Sequence, residues 1–327
     1  MTRHSAHVSR IAVPAILCAV LALAMAGKSA FADASGPRVE IQERTNQVSV
    51  LVDDRLFTAL RSGDEAQKLY LHPLRSASGR PVTRAFPTEQ VAGESTDHAH
   101  QRGVWIGSEA VSGVDFWENE RSYDRPNKGI VRLTGITDVR SGIGEAAFTL
   151  HAMWDAPEGD TRIVETRTMT FGATATERRV DIDLLLLAKA RVTFEDNHDA
   201  LLGLRLATAF EESHGGRASN AEGIAGWERL RGSRSAWVDW QATIDGERLG
   251  VAVMDHPSNF RFPTPWHVRD YALLFASPFA SRDYSPTAPD GSVTLMPGES
   301  LRMRYRILVH GPSTDVAAAF RAFAGRS

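Results

Sequence analysis

The sequence predicts an all-β protein, one large antiparallel β-sandwich carrying a single short C-terminal helix. Three observations carry that prediction. Apolar residues alternate with a period of two along most of the 327-residue chain. The alternating runs face one another across short turns rich in Gly, Asn and Asp. Helical spacing is confined to the last dozen or so residues.

Residues 38–42 and 47–52 alternate about Arg44-Thr45-Asn46 and read as an opening hairpin. Residues 68–72 form a further strand, ended by a Ser78-Gly79-Arg80-Pro81 turn. Regularity is then lost from 84 to 129, which holds Pro87, Gly93, Gly103, Gly107, Gly113, Pro126 and Gly129. A long irregular insertion in a β protein is usually functional. Long hairpins follow, 130–139 with 145–154 and 162–171 with 177–187. Strands at 201–210, 236–244, 249–255 and 271–275 come next, with Asp245-Gly246 as a strong turn signal. Residues 293–296 and 301–309 read as a closing hairpin about Pro297-Gly298-Glu299. In the terminal helix, 314–324, Val316, Phe320 and Phe323 share a face behind Asp315. No repeat, linker or low-complexity tract divides residues 33–327, which are expected to form one domain.

Residues 1–32 read as a secretory signal peptide. Arg3 and Arg10 precede an apolar run from 11 to 26, and Ala30-Phe31-Ala32 fits a cleavage site. The run is short of the roughly 20 residues a spanning helix needs; an uncleaved anchor is the alternative. The expectation is a periplasmic or secreted protein with no stable membrane span after cleavage. The single cysteine, Cys18, lies inside this leader, so no disulfide or thiolate site is expected in the mature chain. With 37 basic and 40 acidic side chains and no basic block, the charge pattern argues against nucleic acid and anionic membranes as partners. The sequence lacks a P-loop, a dinucleotide fingerprint, a Gly-x-Ser-x-Gly elbow and a His-Glu-x-x-His motif.

Chemistry concentrates in a few loops. The stretch Asp97-His98-Ala99-His100-Gln101-Arg102 gathers an acid, two imidazoles and a guanidinium. If 94–102 is extended, Glu94, Thr96, His98, His100 and Arg102 face one side. His-x-His on a strand also offers two nitrogens to a metal. The structural alternative is a polar loop in which Arg102 pairs with Asp97. A second cluster runs from Asp255-His256-Pro257-Ser258-Asn259 to Pro265-Trp266-His267. Pro257 forces His256 into an extended or turn conformation at a strand end, and Trp266 beside polar groups suits a sugar ring. The turn Glu195-Asp196-Asn197-His198-Asp199 is either a calcium-like oxygen site or a solvated hairpin end. Arg205, inside an apolar strand, needs a partner. Asp115 is expected to orient a histidine, Trp117 to wall the pocket, and His72, before Pro73, to join the same cleft.

The chain resembles a family of uncharacterised exported bacterial proteins labelled "methane oxygenase PmoA" or PmoA-like. The resemblance rests on His72-Pro73-Leu74, Val82-Thr83-Arg84, Asp97-His98-Ala99-His100-Gln101-Arg102-Gly103, Gly113-Val114-Asp115-Phe116-Trp117, His256-Pro257-Ser258-Asn259 and Pro263-Thr264-Pro265-Trp266-His267. Ala99 and Gln101 stand where that pattern often has Pro and His. The β-rich layout also looks like the supersandwich of galactose mutarotase and its relatives. That likeness implies sugar binding on a concave sheet and proton transfer by histidine and carboxylate.

The resulting expectation is a carbohydrate-active protein, an epimerase-, mutarotase- or lyase-like enzyme acting on a sugar. His98, His100, His256 and Asp115 are the candidate catalytic residues. Arg102, Arg205, Trp266, His267, Trp117, His72, Glu94 and Asn259 are the candidate substrate contacts. Two alternatives remain. One is an enzyme whose divalent metal (zinc, copper or iron) sits on His98, His100 and His256; the other is a sugar-binding module without catalysis. All depend on the 98–102 and 255–267 segments meeting.

Overall fold

The computed structural model describes residues 36–63 and 66–326. The predicted leader and Cys18 lie outside them. Two antiparallel sheets pack face to face. The first has nine strands, in the order Trp266–Arg269, Leu273–Ala276, Ala200–Arg205, Val104–Ser108, Tyr70–Leu71, Arg55–Arg61, Gln47–Val52, Arg38–Arg44 and Gly142–Ile143. The second has eight: Arg217–Asn220, Trp237–Ile244, Glu247–Asp255, Ser300–His310, Arg178–Ala188, Thr161–Ala173, Glu145–Asp155 and Ile130–Arg140. This is the antiparallel sandwich that the alternation predicts.

The core lies between the sheets because one parity of each strand is apolar. Val39, Val50, Val104, Ile106, Leu202, Leu204, Val268 and Leu274 come from the first sheet. Phe148, Trp154, Ile163, Phe171, Ile182, Leu184, Val253 and Ile307 meet them from the second. The helix Val316–Ala324 covers the far side of the second sheet, where Val316 and Phe323 bury Ala252, Met254 and Leu308. Asp315 is its N-cap and accepts the Ala318 N–H at 2.9 Å.

Several expected elements change. The closing hairpin does not form. Val293–Leu295 pairs with Val192–Phe194, while Ser300–His310 lies between Arg178–Ala188 and Glu247–Asp255. Arg55–Arg61 is a strand that the polar residues around it hid, and 201–210 keeps strand form only to Arg205. A second helix, Trp227–Leu230, is one turn long. Residues 94–102 are not a strand, so the single-face reading of Glu94, Thr96, His98, His100 and Arg102 fails.

Candidate functional site

The outer face of the first sheet carries the site. Its side chains have the parity opposite to the core. In register, adjacent strands set His267, Phe275, Gly203, Trp105 and Tyr70 in one row across it. A Cβ on Gly203 would come within 2.5 Å of the Trp105 ring, so glycine lets that ring lie flat on the sheet. The loop that follows folds back over the row. Trp117 packs at 5.0 Å from Trp105 and 4.7 Å from Phe275, and both tryptophans are fully buried. Trp117 therefore holds the loop down and offers no open stacking face.

One step along the strands the next row brings Arg269, Leu273 and Arg205, and the 94–102 loop closes on it. Asp97 is the hub. Its Oδ1 receives Arg84 Nη1 at 2.7 Å and Arg205 Nη2 at 3.5 Å. Its Oδ2 lies 3.1 Å from His98 Nδ1. Burial resists the Asp97 charge, but Arg205, Ser95 and His98 outweigh it and hold the carboxyl at about 2. Arg84 and Arg205 are buried while Asp97 is 44% exposed, so two desolvated cations share one half-open anion. Arg84 also binds the carbonyls of Asp97, His98 and Gln101, which fixes the loop backbone.

That clamp presents His98. The residue has φ +43°, a left-handed conformation that, glycine aside, asparagine, aspartate and histidine adopt more readily than other residues. Its side chain is 45% exposed. With Nδ1 turned to Asp97, no described residue offers Nε2 a partner. The ring stacks with Tyr271 at 6.0 Å and 13°, and lies edge-on to His100 at 5.7 Å. Tyr271 in turn sits under the Arg205 guanidinium at 4.4 Å.

His100 has a different character. It is buried, Nδ1 lies 3.2 Å from the Tyr123 hydroxyl, and Nε2 is 3.8 Å from Glu118. Burial, then Lys68 and His98, push its pKa down to about 2, so it stays neutral. It can accept or donate a hydrogen bond but does not titrate near neutrality, correcting its expected acid–base role. His267 stacks on His198 at 4.4 Å and is likewise held near 2 by burial and by His198. His72 is buried and driven to about 4, by burial first and Arg61 next.

Other expected participants have structural work. Arg102 pairs with Glu120 through two hydrogen bonds, 2.8 and 2.7 Å, instead of with Asp97. It lines a 690 Å³ cleft with Tyr70, Phe86, Thr88 and Glu120, and Ala99 of the same loop forms part of that wall. Asp115 does not orient a histidine. It caps the turn by accepting the Trp117 and Glu118 N–H groups, and Arg125 reaches it at 3.2 Å. Glu94 accepts the Ala85 and Phe86 N–H groups. Asp196, in the supposed calcium turn, accepts the N–H groups of Ser281, Arg282 and Gly291 and so anchors another loop.

The second predicted cluster lies elsewhere. His256 has the parity of Ala252 and Met254 and projects from the outer side of the second sheet. Its Nδ1 meets Ser258 Oγ at 2.7 Å, Nε2 meets the Arg326 carbonyl at 3.2 Å, and the ring packs on Phe323. Asn259 ties Asp255 to the Arg304 backbone. Trp266 is buried in the inter-sheet core with Nε1 on the Ser235 carbonyl. The expected meeting of His98, His100 and His256 is thus corrected, and with it the three-histidine metal site. Pro257 predicted the projection of His256 but not which side of the sheet it leaves.

Among the described residues, the three-ligand cluster with metal-like spacing is Glu109, Asp115 and Glu118, whose oxygens lie within 4.8 Å of one another. Arg125 reaches all three carboxylates and supplies one positive charge among them.

A family described as "Family of unknown function (DUF6807)" matches residues 47–324. The chain belongs to that family. Its description carries no methane-oxygenase name, so the PmoA label gains no support. No curated protein sequence matches the chain. Among solved structures, a galactose mutarotase-like protein from Lactobacillus casei is 9% identical with a TM-score of 0.37, over 83% of this chain and 100% of that one. A putative aldose 1-epimerase from Escherichia coli K12 is 9% identical with a TM-score of 0.35, over 84% and 100%. A beta-arabinopyranosidase gives 10% and 0.30, over 84% of this chain and 38% of its own.

Sequence reasoning missed Asp97 as the hub, and missed Arg84, Tyr271 and Tyr123. Arg84 had a readable signal. It is a charged residue in Pro81-Val82-Thr83-Arg84-Ala85-Phe86, the same anomaly that marked Arg205.

Proposed function

We propose that this face binds a small carbohydrate and that His98 moves a proton on it. One observation carries the reading: a carboxylate fixed by two buried arginines holds Nδ1 of a half-exposed imidazole and leaves Nε2 open. In that arrangement Nδ1 carries the proton and Nε2 is the base. Tyr271 offers an aromatic edge beside it, and polar groups around the rim suit hydroxyls. Ring opening, epimerisation or elimination next to a carbonyl each begin with such a proton transfer. Hydrolysis by a carboxylate pair is not favoured, since the nearby acids are tied to Arg125 or to backbone N–H groups.

The test is a panel of aldoses in deuterated buffer, followed by NMR for anomer exchange and for deuterium at carbon. The wild type accelerates one of these, and His98→Ala slows it at least about 100-fold, the usual scale for a general base, while ligand binding is kept. Full activity in His98→Ala removes the catalytic role; binding without any exchange leaves a sugar-binding module; no binding by any sugar removes the reading. We also propose that the protein works outside the cytoplasm. The charged start, apolar run and Ala30-Phe31-Ala32 support this, and fractionation of cells expressing the chain with and without residues 1–32 tests it.

A further inference from the structure

Arg269 has no acidic partner among the described residues. It ends the edge strand Trp266–Arg269 and points to the outer face of the first sheet, like Arg205. Its guanidinium lies 5.7 Å from the Trp227 ring and 5.3 Å from the Tyr271 ring. Among the described residues it makes no ion pair and no side-chain hydrogen bond, and its Nε is buried without a partner. Arginine normally meets a carboxylate or phosphate through its planar fork. Here two aromatic rings hold the fork in place and no protein acid fills it.

The surroundings sharpen the point. Tyr271 is shared, since Arg205 and Arg269 both lie over its ring and His98 stacks with it. Among the described residues, Asp97 is the only carboxylate in contact with Arg84 or Arg205, and Glu94 and Glu211 act on them from farther away. The Nε atoms of Arg84 and Arg205 are also buried without partners. Burial, reinforced by Arg84, pulls Arg205 down to about 10 even with Asp97 beside it.

We infer that the ligand of this site carries an anionic group, a sugar carboxylate as in a uronic acid, which docks on Arg269 with the ring placed toward Tyr271 and His98. The inference rests on the carbohydrate reading for the sugar and on the Arg269 geometry for the anion.

The experiment titrates the full chain with galacturonate, galactose and inorganic sulfate, by calorimetry and by NMR of the arginine Nε–H signals. Galacturonate is expected to bind at least tenfold tighter than galactose, with the margin shrinking as salt rises. Arg269→Met, which keeps the contact with the rings, abolishes the margin. Arg304→Ala on the opposite sheet leaves it unchanged. Equal binding of the two sugars, or a margin that survives Arg269→Met, overturns the inference. If neither sugar binds, the carbohydrate reading fails on its own. A saturable sulfate shift at Arg269 then upholds the anion site, and no sulfate shift overturns it.

Discussion

The two outer faces of the sandwich invite comparison, because each carries a histidine among arginines and carboxylates. On the second sheet every arginine near His256 reaches an acid: Arg302 and Arg304 reach Asp183 at 2.6 and 3.2 Å, and Arg306 and Arg326 reach Asp181 at 2.6 and 3.3 Å. Both nitrogens of His256 are spent. On the first sheet Arg84 and Arg205 share Asp97, and among the described residues Arg269 has no partner acid and His98 keeps one nitrogen open. The residue types are the same. What separates the two faces is whether local geometry leaves hydrogen-bonding groups unspent.

The comparison breaks most visibly where the first face is packed. Trp117→Ala removes a fully buried ring from between Trp105 and Phe275 and costs about 3–5 kcal/mol, the usual range for a core aromatic. Trp237→Ala, on the half-exposed outer side of the second sheet, costs less than half as much; equal losses by denaturant titration would show that the loop is not held down by Trp117. Next in size is Asp97→Asn. Breaking a fully buried pair costs about 3–5 kcal/mol, and the half-open Asp97 brings that to about 1–3 kcal/mol. Asp183→Asn, in a solvated ladder, costs about 0–1 kcal/mol. A smaller loss at Asp97 than at Asp183 would contradict the account of the hub.

The sandwich was legible because burial of one strand face writes itself as alternation, and that survives even where registers are unknown. Pairing partners were less legible. Val293–Leu295 looked like half of a hairpin with the following strand because local sequence cannot show that Val192–Phe194 competes for it. The site was legible as a list of residue types and illegible as a place. His98 and Arg205 were noticed from titratable density and from a charge in an apolar strand, and the structure sets both around Asp97. The 94–102 loop could not be resolved that way, because strand parity is meaningless once His98 adopts a positive φ and Arg84 gathers the backbone carbonyls. His256 failed for a related reason. Pro257 makes it project, but the side of the sheet depends on the parity of a strand whose both faces are apolar, and alternation carries no information there.

Acid titration gives a subtler contrast. His72, His100 and His267 all sit on the first face and all have pKa values held below the ordinary 6.5 by burial. The folded chain keeps them neutral, while the unfolded chain takes up protons below about 6.5. The unfolded state therefore binds more protons as the pH falls, and stability declines from about 6.5 toward 4 and below. Asp255, at the end of a strand in the second sheet, acts in reverse. Burial lifts it to about 7 against the pull of Asn259 and Thr264. Its contribution is complete below the ordinary carboxylate value of 3.8 and is lost as the pH rises through 7. His267→Phe should flatten the acid decline in thermal midpoint between pH 6.5 and 4, and Asp255→Asn should steepen it. The opposite pair of slopes would mean that the imidazoles of the first face are charged in the fold.

The smallest effect expected on the first face itself tests the comparison most directly. His256→Ala removes two hydrogen bonds and an edge contact with Phe323 from a buried position, a loss of about 1–3 kcal/mol at ordinary hydrogen-bond values. It touches nothing on the first face. Sugar binding and proton exchange should stay within twofold of wild type, while the helix Val316–Ala324 loosens and its amide protons exchange faster with solvent. A turnover loss in His256→Ala as large as that in His98→Ala would mean that the two faces communicate through the core, and the division of labour between a spent face and an open one would have to be abandoned.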